Sequence, residues 1–198
     1  MPVSGEETSK YWNEASELIA SGKSGQAINL CQQEPHSSVL QCQIYLGWEF
    51  YKRGDLEKAL TWFEKAASIF EDGEALFGIA SVYFTEKNFP MALQYFERSA
   101  ERSYGRAYYW VADMYQYGVG AAVDVDQAIH FYQKGMESGY LMAERCLIFL
   151  AYQNEGLIGK GMSMFRLFFL LLKATKMACR NINDPRLADI RKWPTGMH

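Results

Sequence analysis

The residues able to carry chemistry in this sequence are few and scattered. Histidine occurs at His36, His130 and His198, and cysteine at Cys31, Cys42, Cys146 and Cys179. A zinc site would need such residues in closely spaced pairs, and a cysteine or histidine nucleophile would need an activating partner. There is no CxxC pair, and no histidine has a cysteine or carboxylate at metal-ligand spacing. The cysteines therefore read as free thiols inside helices rather than as a disulfide framework or a metal centre. The run GLIGKG at Gly156 to Gly161 imitates a phosphate loop, but Asn154 stands where the first glycine is required. Gly161 likewise replaces the Ser or Thr that would hold magnesium. Gly118 and Gly120 make no phosphate cradle either, because no strand leads into them. With no G-x-S-x-G, H-E-x-x-H or dinucleotide fingerprint, the chain reads as non-enzymatic, without catalytic, cofactor-binding or metal residues.

What remains is aromatic chemistry. Of the residues 15% are aromatic, as Tyr 13, Phe 12 and Trp 5, while hydrophobic content at 49% and charge at 22% are ordinary for a folded chain. Only 5 prolines interrupt it, so the apolar periodicity can run through long helices. The elements that must position these aromatics repeat. Leu46-Gly47, Phe50, Ala59, Phe63 and Ala66 recur as Ile79-Ala80, Tyr83, Ala92, Phe96 and Ser99. A third copy reads Val111-Ala112, Tyr115, Ala128, Tyr132 and Gly135. The small anchors Ala27, Ala59, Ala92, Ala128 and Gly161 are spaced by 32, 33, 36 and 33 positions. A small residue lets two helix backbones approach, and the aromatic one turn later fills the space beside them.

This spacing predicts an all-α superhelix, a solenoid of about five antiparallel helix pairs. The expected pairs are 8–20 with 25–34, 39–53 with 55–70, 74–86 with 89–103, 106–117 with 125–138, and 141–153 with 158–180. Glu14 occupies a position that the pattern wants apolar, which suits a terminal, capping pair.

The pattern of small and aromatic positions resembles the tetratricopeptide repeat. The unit with 36-residue spacing is more specific: Ala107-Tyr108, Tyr115, Gly118-Val119-Gly120, Asp124, Ala128, Phe131-Tyr132 and Gly139 resemble a Sel-one-like repeat. It departs at Ala121-Ala122-Val123, where that family has Val-Pro-Lys. Asp124 and Gln127 make a capping-box pair for the helix that follows. The resemblance implies that the first helix of each pair lines a concave face. Gln41, Ile44, Trp48, Tyr51 and Lys52 fall there from the second pair, and Glu74, Phe77, Ser81 and Phe84 from the third. Arg106, Tyr109, Asp113, Gln116 and Tyr117 follow from the fourth, and Arg145, Phe149 and Tyr152 from the fifth. Of these, Trp48, Tyr51, Phe77, Phe84, Tyr109, Tyr117, Arg145 and Tyr152 are the candidate partner-binding residues, since aromatics beside a few charges are the chemistry of interface hot spots. The expected partner is a protein or peptide. Lys52 and Arg53 are the only part of a carboxylate clamp for chaperone tails, so that role is not expected.

Charge separates the two ends of the chain. Residues 156 to 198 carry a net +6, which leaves −9 for the first 155, given −3 overall. With a pI near 5.7 and no basic stripe, nucleic acid is not an expected partner. A single repeat domain over 1–180 is expected, with 181–198 as a basic tail docked as a cap through Ile182, Leu187, Ile190 and Trp193. The alternative is a peripheral membrane component whose basic C-terminal region, residues 156–198, touches an anionic surface. Leu167 to Leu172 is apolar but bracketed by Arg166, Lys173 and Lys176, too short to span a bilayer, and is expected to be a buried helix. Glu6, Glu7, Glu14 and Glu17 stand where a secretory signal needs an apolar run, so a cytoplasmic location is expected.

Overall fold

In the computed structural model, residues 5–154 and 164–173 are described, the side chains of 69, 70 and 151–154 excepted. Gly161, the GLIGKG run, Cys179 and the basic tail with its expected capping role lie outside the described residues. The chain forms two compact units, Met1–Arg102 and Ser103–His198.

The first unit contains α1 (Gly5–Ala20), α2 (Ser24–Cys31), a 3-10 turn (His36–Ser38), α3 (Leu40–Lys52), α4 (Leu56–Phe70), α5 (Gly73–Thr85) and α6 (Phe89–Glu101). The second contains α7 (Gly105–Tyr117), α8 (Val125–Glu137), α9 (Leu141–Asn154) and a helical stretch at 164–173. Among the described residues there is no strand. Helices α1 to α9 begin and end close to where the periodicity and the glycine breaks put them, and both ends of the expected 158–180 helix lie outside the described residues. Asp55, Asp72 and Asp124 cap α4, α5 and α8 by accepting the N–H of Lys58, of Glu74 and Ala75, and of Gln127 respectively. Each satisfies backbone donors that the first turn of a helix leaves open.

The small and aromatic positions of the repeat are the interior. Leu46, Ala59, Phe63, Ala66, Ala80, Ala92, Val111, Ala112, Ala128 and Tyr132 have no exposed surface. Phe63 is the tightest joint of the first unit. A Cβ added to Gly47 of α3 would come within 2.5 Å of its ring, and one added to Gly78 of α5 within 2.4 Å. Both glycines are thus the floor on which the α4 phenyl ring lies. In the second unit Gly135 of α8 plays this role, with the Ala143 methyl 2.7 Å from where its Cβ would stand. Ser99 is polar at an otherwise apolar position because its Oγ donates to the Gly73 carbonyl at 2.6 Å, tying α6 to the start of α5.

Glu14, irregular in the sequence pattern, is also accounted for. It is exposed on α1, where its Oε2 lies 3.0 Å from Nε2 of His36, whose buried ring rests 4.9 Å from that of Tyr11. Residues 22 apart thereby hold the first helix to the 3-10 turn.

One expectation of burial fails. The stretch 164–173 is helical, but of its residues only Leu170 is buried. Met164, Phe165, Phe168, Phe169, Leu171 and Leu172 are 47–64% exposed. A hydrophobic run is buried only if another element covers each of its sides. Among the described residues, Lys173 Nζ of this stretch donates to Glu144 Oε2 of α9 at 2.9 Å.

Candidate functional site

In the first unit, α3 and α5 lie side by side and two hydrogen-bonded rungs join them. Trp48 Nε1 donates to Glu74 Oε1 at 3.1 Å, and the Tyr51 hydroxyl lies 2.8 Å from Thr85 Oγ1. Thr85 uses its own hydroxyl proton on the Ser81 carbonyl, 2.9 Å away, so Tyr51 is the donor in the second rung. Trp48 is half-buried, with its ring edge-on to Phe63 at 4.9 Å and to Tyr51 at 5.6 Å, and tilted to Phe77 at 6.1 Å. Phe84 is half-buried against Phe89, 5.3 Å between centroids. Trp48, Tyr51 and Phe84 therefore keep part of their surface outside while their bodies are fixed by neighbours. Rings held in this way lose little side-chain freedom when a partner covers them.

Phe77 belongs to the interior instead. It is 2% exposed and packs on Phe96 at 5.1 Å, so the expectation that it faces a groove is corrected. The reason is that α5 is enclosed by α3, α4 and α6 and is buried at Ala75 to Ala80 and at Val82, leaving a narrower open face than the repeat pattern grants.

The second unit divides its candidates similarly. Tyr109 is 8% exposed and rings with Trp110, Tyr132 and Tyr140 at centroid distances of 6.0, 6.1 and 6.0 Å. It too is a packing residue rather than a surface one. Tyr117 at 56% and Phe149 at 53% are exposed, and Arg145 is half-buried beside the Cys146 thiol. Tyr152 lies on α9, with its side chain outside the described set.

Behind these residues is a polar chain that the sequence reading did not single out as a unit. The Tyr132 hydroxyl, fully buried, donates to Gln116 Oε1 at 2.9 Å and stands 3.4 Å from Asp113 Oδ1. A phenol has one proton, and the shorter bond to Gln116 takes it. Asp113 is left with the longer and weaker contact to the phenol, so burial dominates its environment. Burial accordingly raises the Asp113 carboxyl to about 6, against which the Tyr132 hydroxyl works in the other direction. The signal in the sequence was an acid set between Ala112 and Met114, both of which are buried. Burial also lifts the Cys146 thiol, to about 11.

The sign of the resulting pH dependence follows from the raised value. A carboxyl that holds its proton more tightly when folded costs stability as pH rises from its unfolded value near 4 through about 6, and the cost stays constant above that. A shift of this size corresponds to about 2–3 kcal/mol. Asp113→Asn, which keeps shape and cannot ionise, should match the parent chain at pH 4 and exceed its stability by about 2–3 kcal/mol at pH 7.5. Urea melts at the two pH values measure this, and a difference that does not change with pH would refute the assignment.

Among the described residues no group of three or more His, Cys, Asp or Glu side chains could hold a metal ion. Cys31 and Cys42 are free, fully buried and hydrogen-bonded to one another, which raises the Cys42 thiol and lowers that of Cys31.

Stacked helix pairs, small residues at each crossing and a partly exposed aromatic face on the first helices define a helical-repeat solenoid of the kind that acts as a scaffold for protein–protein contacts. The Sel1 repeat model matches residues 40–68, 74–104 and 105–140, and over these the chain belongs to the Sel1-like repeat family. A crystal structure of a Sel1 repeat protein from Oxalobacter formigenes superimposes with a TM-score of 0.69 at 19% identity, over 83% of this chain and 68% of the other. The structure of c5321, a protective antigen of uropathogenic Escherichia coli with the same type of repeat, gives 0.63 at 20% identity, over 74% of this chain and 34% of the other. In sequence, an uncharacterized protein of Neisseria meningitidis serogroup B, NMB1327, is 31% identical over 96 residues, 46% of this chain. The match spans only 20% of that protein's length.

Proposed function

We propose that this chain is a non-enzymatic adaptor that seats a segment of a partner protein on the face formed by α3 and α5. The observation that supports it is the set of Trp48, Tyr51 and Phe84, three aromatics half exposed along two adjacent helices and held by hydrogen bonds or ring contacts. Ile44 and Ser81, also half-buried on these helices, extend the seat. Tyr117, Arg145 and Phe149 offer a second aromatic and cationic surface on the other unit. The cytoplasm is the proposed compartment, because the paired thiols of Cys31 and Cys42 suit reducing conditions. Recovery of the native protein in an exported fraction would overturn that part.

A photo-reactive phenylalanine placed at Tyr51 or Tyr117, and at exposed Glu64 of α4 as a control, tests the seat in the native cell. Cross-links to one partner are expected at the first two positions and not at the third. With that partner purified, Tyr51→Ala combined with Phe84→Ala should weaken binding by about 2 kcal/mol or more, some thirtyfold. Cross-links concentrated at Glu64, or binding unchanged in the double variant, would refute the reading.

A further inference from the structure

The helical stretch 164–173 contains no acidic residue, and its side chains sort by position around the axis. At about 100° per residue, Leu170 and Leu167 share one side, which is the buried and half-buried one. Leu171, Met164, Phe168, Leu172, Phe165 and Phe169 then follow one another around roughly 160° of the circumference. Each of these six is 47–64% exposed, so the arc is unbroken. Arg166 and Lys173 stand together at its far edge, both exposed.

An arc of this width and composition is unfavourable in water, and patches of this kind mark contact surfaces. Charge decides what the contact is with. Two copies apposed through this face would bring Arg166 of each near that of the other, and the carboxylate bordering the face, Glu144 of α9, already accepts from Lys173 at 2.9 Å. A bilayer with anionic headgroups meets both requirements at once. Phenyl and leucyl groups enter the acyl boundary while the Arg166 guanidinium stays at the depth of the phosphates. The charge of the chain points the same way, since residues 156 to 198 carry +6 and the first 155 carry −9. An anionic surface attracts this segment of the chain and repels the first 155 residues. No helix among the described residues is long and apolar enough to cross a membrane, so contact is by lying in the interface.

We infer that the 164–173 helix is a membrane-docking face that lies on an anionic lipid surface through Phe165, Phe168, Phe169, Leu171 and Leu172, with Arg166 at its edge. This goes beyond the adaptor reading and does not depend on it.

Flotation of the full chain with vesicles of phosphatidylcholine, with and without roughly a third phosphatidylglycerol, tests the inference. The chain should float with the anionic vesicles, less so at high salt, and weakly or not at all with the neutral ones. Phe168→Glu with Leu172→Glu should weaken binding more than about tenfold, and Arg166→Glu by about fivefold. Both variants alter exposed side chains and should keep the parent melting temperature. Absence of flotation, or flotation that the double variant does not reduce, overturns the inference. So does a dimer in sedimentation that the double variant dissolves, which would assign the face to a second copy. A lowered melting temperature of the double variant would mean that the chain itself covers the face, and would overturn it as well.

Discussion

Phe63→Ala will lower stability by about 3–5 kcal/mol, roughly a 10 °C fall in melting temperature for a chain of this size. The ring has no exposed surface and lies between Gly47 and Gly78, with Trp48 edge-on at 4.9 Å. Its removal leaves a void bounded by two glycines, which have no side chains to swing into it. The converse substitution separates packing from propensity. Gly78→Ala should gain about 1 kcal/mol of helix propensity, yet its new methyl would stand 2.4 Å from the Phe63 ring. Overpacking of that kind costs about 1–3 kcal/mol, so a net loss is expected. Adding Phe63→Leu to Gly78→Ala should cost less than the sum of the two single changes, because the smaller side chain relieves the overlap. Strict additivity in a urea double-mutant cycle would show that the two positions do not meet.

Tyr109→Ala will destabilise the chain by about 3–5 kcal/mol, and in the fraction that stays folded it will leave partner binding intact. It is 8% exposed among three aromatic rings, so it has little surface to give a partner. Trp48→Ala should differ in kind. It loses ring contacts with Phe63, Tyr51 and Phe77 together with the bond to Glu74, for a stability loss of about 3 kcal/mol. Because the indole is also half exposed on the α3 and α5 face, binding of the folded fraction should fall a further thirtyfold or so, about 2 kcal/mol. Melting and partner binding measured on the same two proteins decide the matter. A binding defect in folded Tyr109→Ala equal to that of Trp48→Ala would sink the distinction between packing and surface aromatics.

The failures among the candidate residues have one cause. The rule that the first helix of each repeat lines the open side assigns Phe77 and Tyr109 to it, but it counts positions along a helix and ignores what stands across from them. Phe77 meets Phe96 of α6, and Tyr109 meets Tyr132 of α8 and Tyr140 just before α9. Trp48, Tyr51 and Phe84 on the same kind of helix keep partial exposure, while Tyr117 sits in the last turn of α7, where fewer neighbours reach it. The polar partners were equally hidden from a linear reading. Glu14 with His36, Trp48 with Glu74 and Tyr132 with Asp113 are 22, 26 and 19 residues apart.

The sequence by itself determined the helices and the repeat, because these depend on local terms: the spacing of small and aromatic residues, the Asp124 cap ahead of α8, and the scarcity of proline. It determined too that Ala59, Ala92 and Ala128 are interior, since a position repeated at a closest crossing tolerates only a small side chain. Only the tertiary structure decided which aromatics of the first helices face outward, that Asp113 is held in a neutral-favouring site, and that an apolar stretch at 164–173 lies open to its surroundings. Exposure is a property of what packs opposite a residue, and hydrophobicity alone supplies the demand for cover without the element that meets it.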